Sequence, residues 1–423
     1  MGFMKVLMLN SSDTSGGAAR AAFRLHRGLR EIGIESGMLV QSKKSDDPSV
    51  IGPSSEMAKM LAMLRPHLDF LPLRRYPDRQ RIIFSPSLVP DRLPARVAAL
   101  NPDIVHLHWV CEGFMRLETL HRLNRPIVWT LHDSWAFTGG CHIPFDCTRY
   151  QERCGACPTL GSVDENDLSR KIWLRKRKAW QGLNLTVVTP SNWLAACARS
   201  SSLFRDLRVE VIPNGLDLER FKPSNKSVAR SLLGLPQDKK LILFGGVNVD
   251  GDRNKGLHNL LPALRRLASQ GWREKAELLV FGTSRPADAA DFGLPARYLG
   301  KLADEADISL LYAAADVFAA PSIQENLPNT VMEAAACGTP SVAFRIGGMP
   351  DLIEHKRNGY LAVPFDPEDL AQGIGWVLAD GSRWQELSNW GRGKMEREFA
   401  MDQVARRYAG LYEDVLEAAA QCV

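Results

Sequence analysis

The stretch Lys5-Val6-Leu7-Met8-Leu9, then Ser15-Gly16-Gly17, then residues 18–30, decides how the chain begins to fold. A short apolar run of this kind suits a strand buried on both faces of a parallel sheet. The glycines break it. Beyond them Ala22, Phe23, Leu25, His26 and Leu29 recur at helical spacing until Gly33 stops the helix. Further strands are predicted at 34–40, 104–107, 127–131 and 186–189, with helical patterns between some of them. The pattern restarts at 241–244, with a helix at 257–270 and strands at 278–281, 317–320 and 341–344. Strand–helix alternation predicts an α/β protein with helices on both faces of parallel sheets. Two doubly wound, Rossmann-like domains facing across a cleft are expected, the first over 1–212 and the second over 213–400. Between them Val211-Ile212-Pro213-Asn214-Gly215-Leu216-Asp217 has the composition of a hinge. Residues 401–423 read as a closing helix that packs back on the N-terminal domain, with Val404, Tyr408, Leu411, Tyr412, Val415 and Leu416 near one face.

The chain has 423 residues, 45% hydrophobic and 24% charged, which excludes disordered and fibrous classes. No run of about 18 apolar residues exists to cross a membrane. Residues 1–210 hold 29 Lys and Arg against 20 Asp and Glu, so the N-terminal half is the basic one. A basic half can attract phosphates, anionic lipid or nucleic acid. No nucleic-acid module accompanies it, and no nucleic-acid partner is expected. The apolar opening, 1–10, is too short for a signal peptide, so a cytoplasmic location is expected.

The sharpest chemical signal is Pro321-Ser322-Ile323-Gln324-Glu325-Asn326-Leu327-Pro328-Asn329-Thr330-Val331-Met332-Glu333-Ala334. It follows a predicted strand and opens a helix. Amides of Asn329, Thr330 and Val331 at a helix N-terminus would favour a phosphate. Glu325 in the loop and Glu333 in the first helical turn could accept hydrogen bonds from sugar hydroxyls. Together they suit a nucleotide sugar; taken alone, the spacing also fits a surface Glu and a Glu that complements the helix dipole. Neither GxxxxGK[ST] nor a GxGxxG fingerprint after the first strand is present.

This segment, with Cys337-Gly338-Thr339-Pro340 and Gly347-Gly348-Met349-Pro350-Asp351 after it, resembles the donor-site signature of retaining family 4 (group 1) glycosyltransferases. The resemblance spans nearly the whole chain. Gly16-Gly17 matches the N-terminal glycine loop, 211–217 the interdomain segment, Phe244-Gly245-Gly246 to Lys255-Gly256 the first donor-domain loop, and Asn358-Gly359-Tyr360-Leu361-Ala362-Val363-Pro364 the segment before the closing helices. It implies the GT-B architecture and transfer from a nucleoside diphosphate sugar with retention at the anomeric carbon, with no metal required for catalysis. It further implies Glu325 at the donor sugar, Glu333 at the ribose and the amides of Asn329 to Val331 at the pyrophosphate. Gly16 and Gly17 would let backbone approach the donor diphosphate or the acceptor. Gly246 stands where the family usually has Arg. Lys255 remains, and Arg253 is read as the second cation, both aimed at the charge that grows on the leaving diphosphate. Lys301, in Tyr298-Leu299-Gly300-Lys301, is read near the base.

His132, in Val128-Trp129-Thr130-Leu131-His132-Asp133-Ser134-Trp135, ends a predicted strand and is expected to orient the sugar rather than act as general base. The mechanism implied is front-face attack, with the leaving phosphate taking the acceptor proton. Asp133 is a weaker candidate for a base or a partner of His132. His106 and His108 are read to opposite faces of their strand, with His108 and Trp109 lining the acceptor side.

Cys141, Cys147, Cys154 and Cys157 cluster in an insert over 138–158. A compact four-thiolate site is a candidate for structural zinc, with His142 as a substitute ligand; free thiols or redox pairing is the alternative. The stretch 129–158 resembles a subgroup acting in bacterial surface polysaccharide and exopolysaccharide assembly. Two stretches, 171–180 with Trp among cations and 57–73 with Met and Leu among cations, suit docking on anionic lipid. The reading is a transferase peripheral on the inner face of the plasma membrane, acting on a saccharide acceptor held on a lipid. A GT-B nucleotide-sugar 2-epimerase and a non-catalytic carbohydrate-binding protein are the alternatives.

Overall fold

The computed structural model describes residues 4–246, 252–286, 289–302 and 304–421. The chain divides into two compact units, Met1–Gly215 with Asp402–Val423, and Leu216–Met401. The crossing falls at Gly215, three residues beyond the boundary expected from sequence.

The first unit is built on a seven-stranded sheet, every pair parallel. Its strands are β1 (Lys5–Ser12), β2 (Glu35–Ser42), β3 (Val50–Ile51), β4 (Ile104–Leu107), β5 (Ile127–Thr130), β6 (Leu185–Thr189) and β7 (Arg208–Val211), in the order β3-β2-β1-β4-β5-β6-β7. Helices α1 (Gly17–Glu31), α2 (Glu56–Phe70), α3 (Leu93–Leu100), α4 (Leu168–Trp180) and α5 (Asn192–Ser200) connect them. The second unit has β8 (Lys240–Gly245), β9 (Ala276–Phe281), β10 (Ala296–Tyr298), β11 (Val317–Ala320), β12 (Ser341–Phe344) and β13 (Gly359–Ala362), all parallel, in the order β10-β9-β8-β11-β12-β13. Its helices are α6 (Lys226–Leu232), α7 (Leu257–Leu267), α8 (Glu305–Ala314), α9 (Asn329–Ala336), α10 (Met349–Leu352), α11 (Pro367–Leu378) and α12 (Gly381–Lys394). Last comes α13 (Met401–Gln421), which returns to the first unit.

Both sheets reverse winding direction once, between β1 and β4 and between β8 and β11. Loops leaving adjacent strands there diverge and open a crevice at the strand carboxyl ends. That geometry selects which loops can hold a ligand in each unit.

Sheet periodicity places the cores. In β1, Leu7 and Leu9 pack to one side with Val105, Leu107 and Trp129. Val6 and Met8 pack to the other with Ile104, Val128 and Val188. Helix α13 closes this second side, burying Val404, Tyr408, Leu411, Tyr412 and Val415. Its two tyrosines also anchor polar groups, as buried phenols must. Tyr412 Oη lies 2.7 Å from His106 Nδ1, and Tyr408 Oη lies 2.9 Å from Thr130 Oγ1.

Two expectations are corrected here. Residues 171–180 do not form a docking face: in α4 Ile172, Trp173, Lys176 and Trp180 are buried, and Arg175 pairs with Glu118 at 2.7 Å. The Lys176 ammonium donates to the carbonyls of Trp135 and Thr138 and lies 3.8 Å from the Trp135 ring centre. The helix is amphipathic with its aromatic face inward. Glu333 lies in the second turn of α9, since the helix begins at Asn329.

Tyr412→Ala removes a fully buried aromatic ring and its hydrogen bond to His106. The expected cost is about 3–5 kcal/mol, read as a lower urea midpoint for the full chain; a change under about 1 kcal/mol would show that α13 does not hold the first sheet.

Candidate functional site

In the second unit the loops after β8 and β11 meet at the winding reversal. Arg253–Lys255 forms one turn of 3-10 helix, ended by Gly256 at φ 75°. A Cβ at Gly256 would lie 1.8 Å from the Pro321 carbonyl oxygen, so only glycine fits. Asn254 stitches the two loops. Its Nδ2 donates to the Gln324 carbonyl at 2.8 Å, and its Oδ1 accepts from the Gln324 amide at 3.0 Å. The Ile323 amide donates to its carbonyl at 2.9 Å.

This clamp sets Lys255 Nζ 2.7 Å from Glu325 Oε1, which Ser322 Oγ also approaches at 3.1 Å. Glu325 holds the Lys255 ammonium above the usual Lys range, against the effect of burial. From the other side, the Gly348 amide donates to the Glu325 carbonyl at 3.0 Å, and a Cβ at Gly347 would lie 2.0 Å from that oxygen. Gly246 follows β8 at φ 152°, and a Cβ there would approach Thr330 Cγ2 at 3.9 Å. The glycine after β8 therefore adjoins the start of α9. Helix α9 begins at Asn329, and its cap residue Pro328 supplies no side-chain hydrogen bond. The Val331 amide is committed to the Pro328 carbonyl at 3.1 Å, which corrects its expected place against a phosphate. Glu333 is buried on α9, with Tyr312 Oη 3.3 Å from its Oε2.

Arg253 is exposed, and the structure does not bring it to the Lys255–Glu325 pair. Lys301 is exposed too, beside Gly300, whose carbonyl accepts the Gly282 amide at 2.7 Å after β9. The middle of the loop after β8, residues 247–251, lies outside the described residues.

In the first unit, Gly16 caps α1 at φ 90° with open space where a Cβ would stand, and Gly17 begins the helix. His108 and Trp109 follow β4, and the Trp109 amide bonds Asn10 Oδ1 at 2.7 Å. Reading His106 and His108 to opposite faces was an error of parity: residues two apart on a strand share a face. Their ring centroids are 4.2 Å apart. His132 follows β5 and joins them, its Nε2 3.0 Å from His108 Nδ1. His106 Nε2 bonds Thr130 Oγ1 at 2.8 Å. A file of imidazoles thus runs from the tyrosines of α13 to His132, which is half-buried. Burial holds all three neutral: it pushes His132 down to about 4, His106 to about 3 and His108 well below the usual His value. His132 can therefore orient a hydroxyl and is already a neutral imidazole at ordinary pH.

The Asp133 charge works against burial at His132, while its oxygens are bonded elsewhere. Its Oδ2 accepts from Trp109 Nε1 at 2.8 Å and lies 2.7 Å from His142 Nδ1, while Oδ1 accepts the Trp135 amide at 2.8 Å. Burial works to raise this carboxyl, and those partners outweigh it and leave it below the usual Asp value. Its work is to fix Trp109. His142 spends its second nitrogen on Ser85 Oγ, 2.9 Å away, so it is no metal ligand.

The four clustered cysteines line one cavity of about 10 Å³, room for one small atom. Cys154 Sγ accepts the Gly139 amide at 3.1 Å. Burial pushes the thiols of Cys141, Cys154 and Cys157 up, Cys154 to about 12. Among the described residues no three His, Cys, Asp or Glu side chains are already disposed as a metal ligand set.

The chain matches the family models for Glycosyltransferase Family 4 over residues 15–220 and Glycosyl transferases group 1 over residues 238–380. It is 33% identical over 324 residues to a D-inositol 3-phosphate glycosyltransferase of Corynebacterium jeikeium, covering 70% of this chain and 71% of that one. An uncharacterized glycosyltransferase of Methanocaldococcus jannaschii is 26% identical over 326 residues, 74% and 76% of the two chains. Sucrose-phosphate synthase from Thermosynechococcus elongatus has a similar fold, with TM-score 0.71 at 20% identity over 98% of this chain and 100% of that one. So has Anabaena HepE in complex with UDP-glucose, with TM-score 0.64 at 19% identity over 97% and 100%. The two parallel-sheet units have the GT-B fold.

The imidazole file makes stability depend on pH. Each group is depressed in the folded state, so the unfolded chain binds more protons between about pH 4 and about 6.5. Stability is complete above that window and is lost as pH falls through it. The urea midpoint is expected to drop from about pH 7 to about pH 4.5, and to drop less in His106→Gln; a level midpoint would show that the file is not neutral.

Proposed function

The chain belongs to the family 4, group 1 glycosyltransferases, and from that premise we propose that it moves a sugar from a nucleoside diphosphate sugar to a saccharide acceptor with retention at the anomeric carbon. The observation that carries the donor assignment is the Lys255–Glu325 pair, clamped between two loops just ahead of α9. In this reading the donor's diphosphate takes the Asn329 and Thr330 amides and draws Lys255 toward its leaving oxygen. A cation fixed there stabilises the charge that develops as the sugar–phosphate bond breaks. Glu325, relieved of Lys255, accepts from the sugar hydroxyls, and buried Glu333 accepts from the ribose. Neutral His132 orients a sugar hydroxyl. His132, kept neutral by burial, and Asp133, held by three hydrogen bonds, are both weak bases, which accords with front-face attack and proton transfer to the leaving phosphate.

We assign the acceptor to a saccharide held on a lipid, in surface polysaccharide assembly, on the strength of the 129–158 stretch and the apolar face described below. The four cysteines we read as a structural zinc site whose loops the ion draws together, supported by their common one-atom cavity and the amide donated to Cys154. Elemental analysis of the reduced protein is expected to give one zinc per chain; none would leave the four as buried thiols.

Calorimetric titration with UDP, GDP and ADP tests the donor site. Selective binding of one is expected, weakened by about 1–3 kcal/mol in Glu333→Gln through loss of charge-assisted hydrogen bonds. Equal affinity in the variant removes the ribose role, and no binding of any nucleotide by folded protein overturns the donor assignment.

A further inference from the structure

Helix α2 is inside out. A helix on a globular protein turns its apolar stripe inward and its charges to water. Here the inward side holds Arg65 and Asp69. Arg65 Nε donates to Gln41 Oε1 at 3.1 Å and to the Gly113 carbonyl at 2.7 Å, and its guanidinium reaches the Pro90 carbonyl at 2.8 Å. Asp69 is fully buried and accepts the Ser87 and Leu88 amides at 3.1 and 2.7 Å. Those bonds fix the helix on the first unit and fix which side faces out.

The outward side is apolar. Met57, Met60, Leu61, Met63, Leu64, Leu68 and Leu71 are each 44–68% exposed, and they are seven of the fifteen large apolar side chains exposed among the described residues. Positions 57, 60, 61, 64, 68 and 71 follow helical spacing, so they form one stripe. It runs into the 3-10 turn Leu71–Arg75, where residues three apart eclipse and Arg74 falls in line with Leu71. Arg74, Arg75, Arg79 and Arg81 are exposed, and none has an ion-pair partner among the described residues. Over the same span the exposed acids are Glu56, which pairs with Lys59 at 2.6 Å, and Asp78.

We propose that this face of α2 is a docking surface for an anionic lipid bilayer. The helix would lie in the interface plane, its Met and Leu side chains among acyl chains and Arg74 and Arg75 at the headgroups. Charge decides for lipid over a second copy of the chain. A symmetric pair across this stripe would bring its own uncompensated arginines together, whereas anionic headgroups neutralise them. The proposal extends the reading of a lipid-held acceptor, but its test needs no sugar transfer.

The full chain is sedimented with phosphatidylcholine vesicles, with and without about one-third phosphatidylglycerol. Binding is expected only with the anionic lipid. Leu61→Glu with Leu64→Glu, and separately Arg74→Glu with Arg75→Glu, should each reduce partitioning at least about tenfold. Both pairs are exposed, so unchanged urea midpoints and unchanged nucleotide titration would show that the fold and the donor site are intact. Binding to neither vesicle overturns the proposal and leaves the transferase reading standing. So does equal binding by the variants. Self-association on sedimentation that Leu61→Glu with Leu64→Glu abolishes, without vesicle binding, would assign the face to a second copy instead.

Discussion

The donor half of this protein depends on Asn254. Two loops leave adjacent strands, β8 and β11, where the winding direction reverses, and nothing in a parallel sheet holds such loops together. The side chain of Asn254 gives one donor and one acceptor to the same peptide unit, Gln324, and its own carbonyl takes the Ile323 amide. Gly256 then lets the backbone pass the Pro321 carbonyl at a distance that admits no side chain. Only with that contact closed do Lys255 and Glu325, seventy residues apart, stand within 2.7 Å. The pair is charged and partly shielded, so it neutralises itself at little cost until a competing anion arrives. A diphosphate is such an anion, and its binding would free the carboxylate for hydroxyls.

The first unit reaches the same end with neutral groups. Two imidazoles, His108 and His106, lie in file behind His132, and the file is backed by two tyrosines of a helix that the chain forms last. Burial keeps each ring uncharged, which suits a group that must orient a hydroxyl rather than attract an anion. Nearby, Asp133 is saturated by Trp109, Trp135 and His142. A carboxylate that accepts three hydrogen bonds positions an indole and is a weak base. The two units thus divide the electrostatics, ion pair and amides in one and neutral rings in the other.

Several features were legible because they are local. Strand-sized apolar runs broken by glycine and followed by helical spacing marked β1, β2, β4, β5, β6, β8, β9, β11 and β12. The order of motifs from Gly16 to Pro364 identified the family. The missed strands are short or disguised: β3 has two residues, β10 has three, β7 ends inside a segment that reads as a hinge, and β13 lies inside Asn358–Pro364, a motif read for its family pattern. Their pairing comes from the sheet beside them, not from their own composition.

The sequence by itself determined the α/β class and the two parallel sheets, and singled out Lys255, Glu325, Glu333 and His132 as candidates, because periodicity and motif order are properties of neighbours along the chain. Which charged groups pair, which histidines touch and which amphipathic helix turns outward were decided by tertiary structure alone. Residues 57–73 and 171–180 read alike as cations among apolar side chains. One is buried through Trp173 and Trp180, and the other is held by Arg65 and Asp69 with its methionines and leucines in solvent. The direction a helix faces depends on what the rest of the fold offers its polar groups, and no stretch of sequence carries that alone.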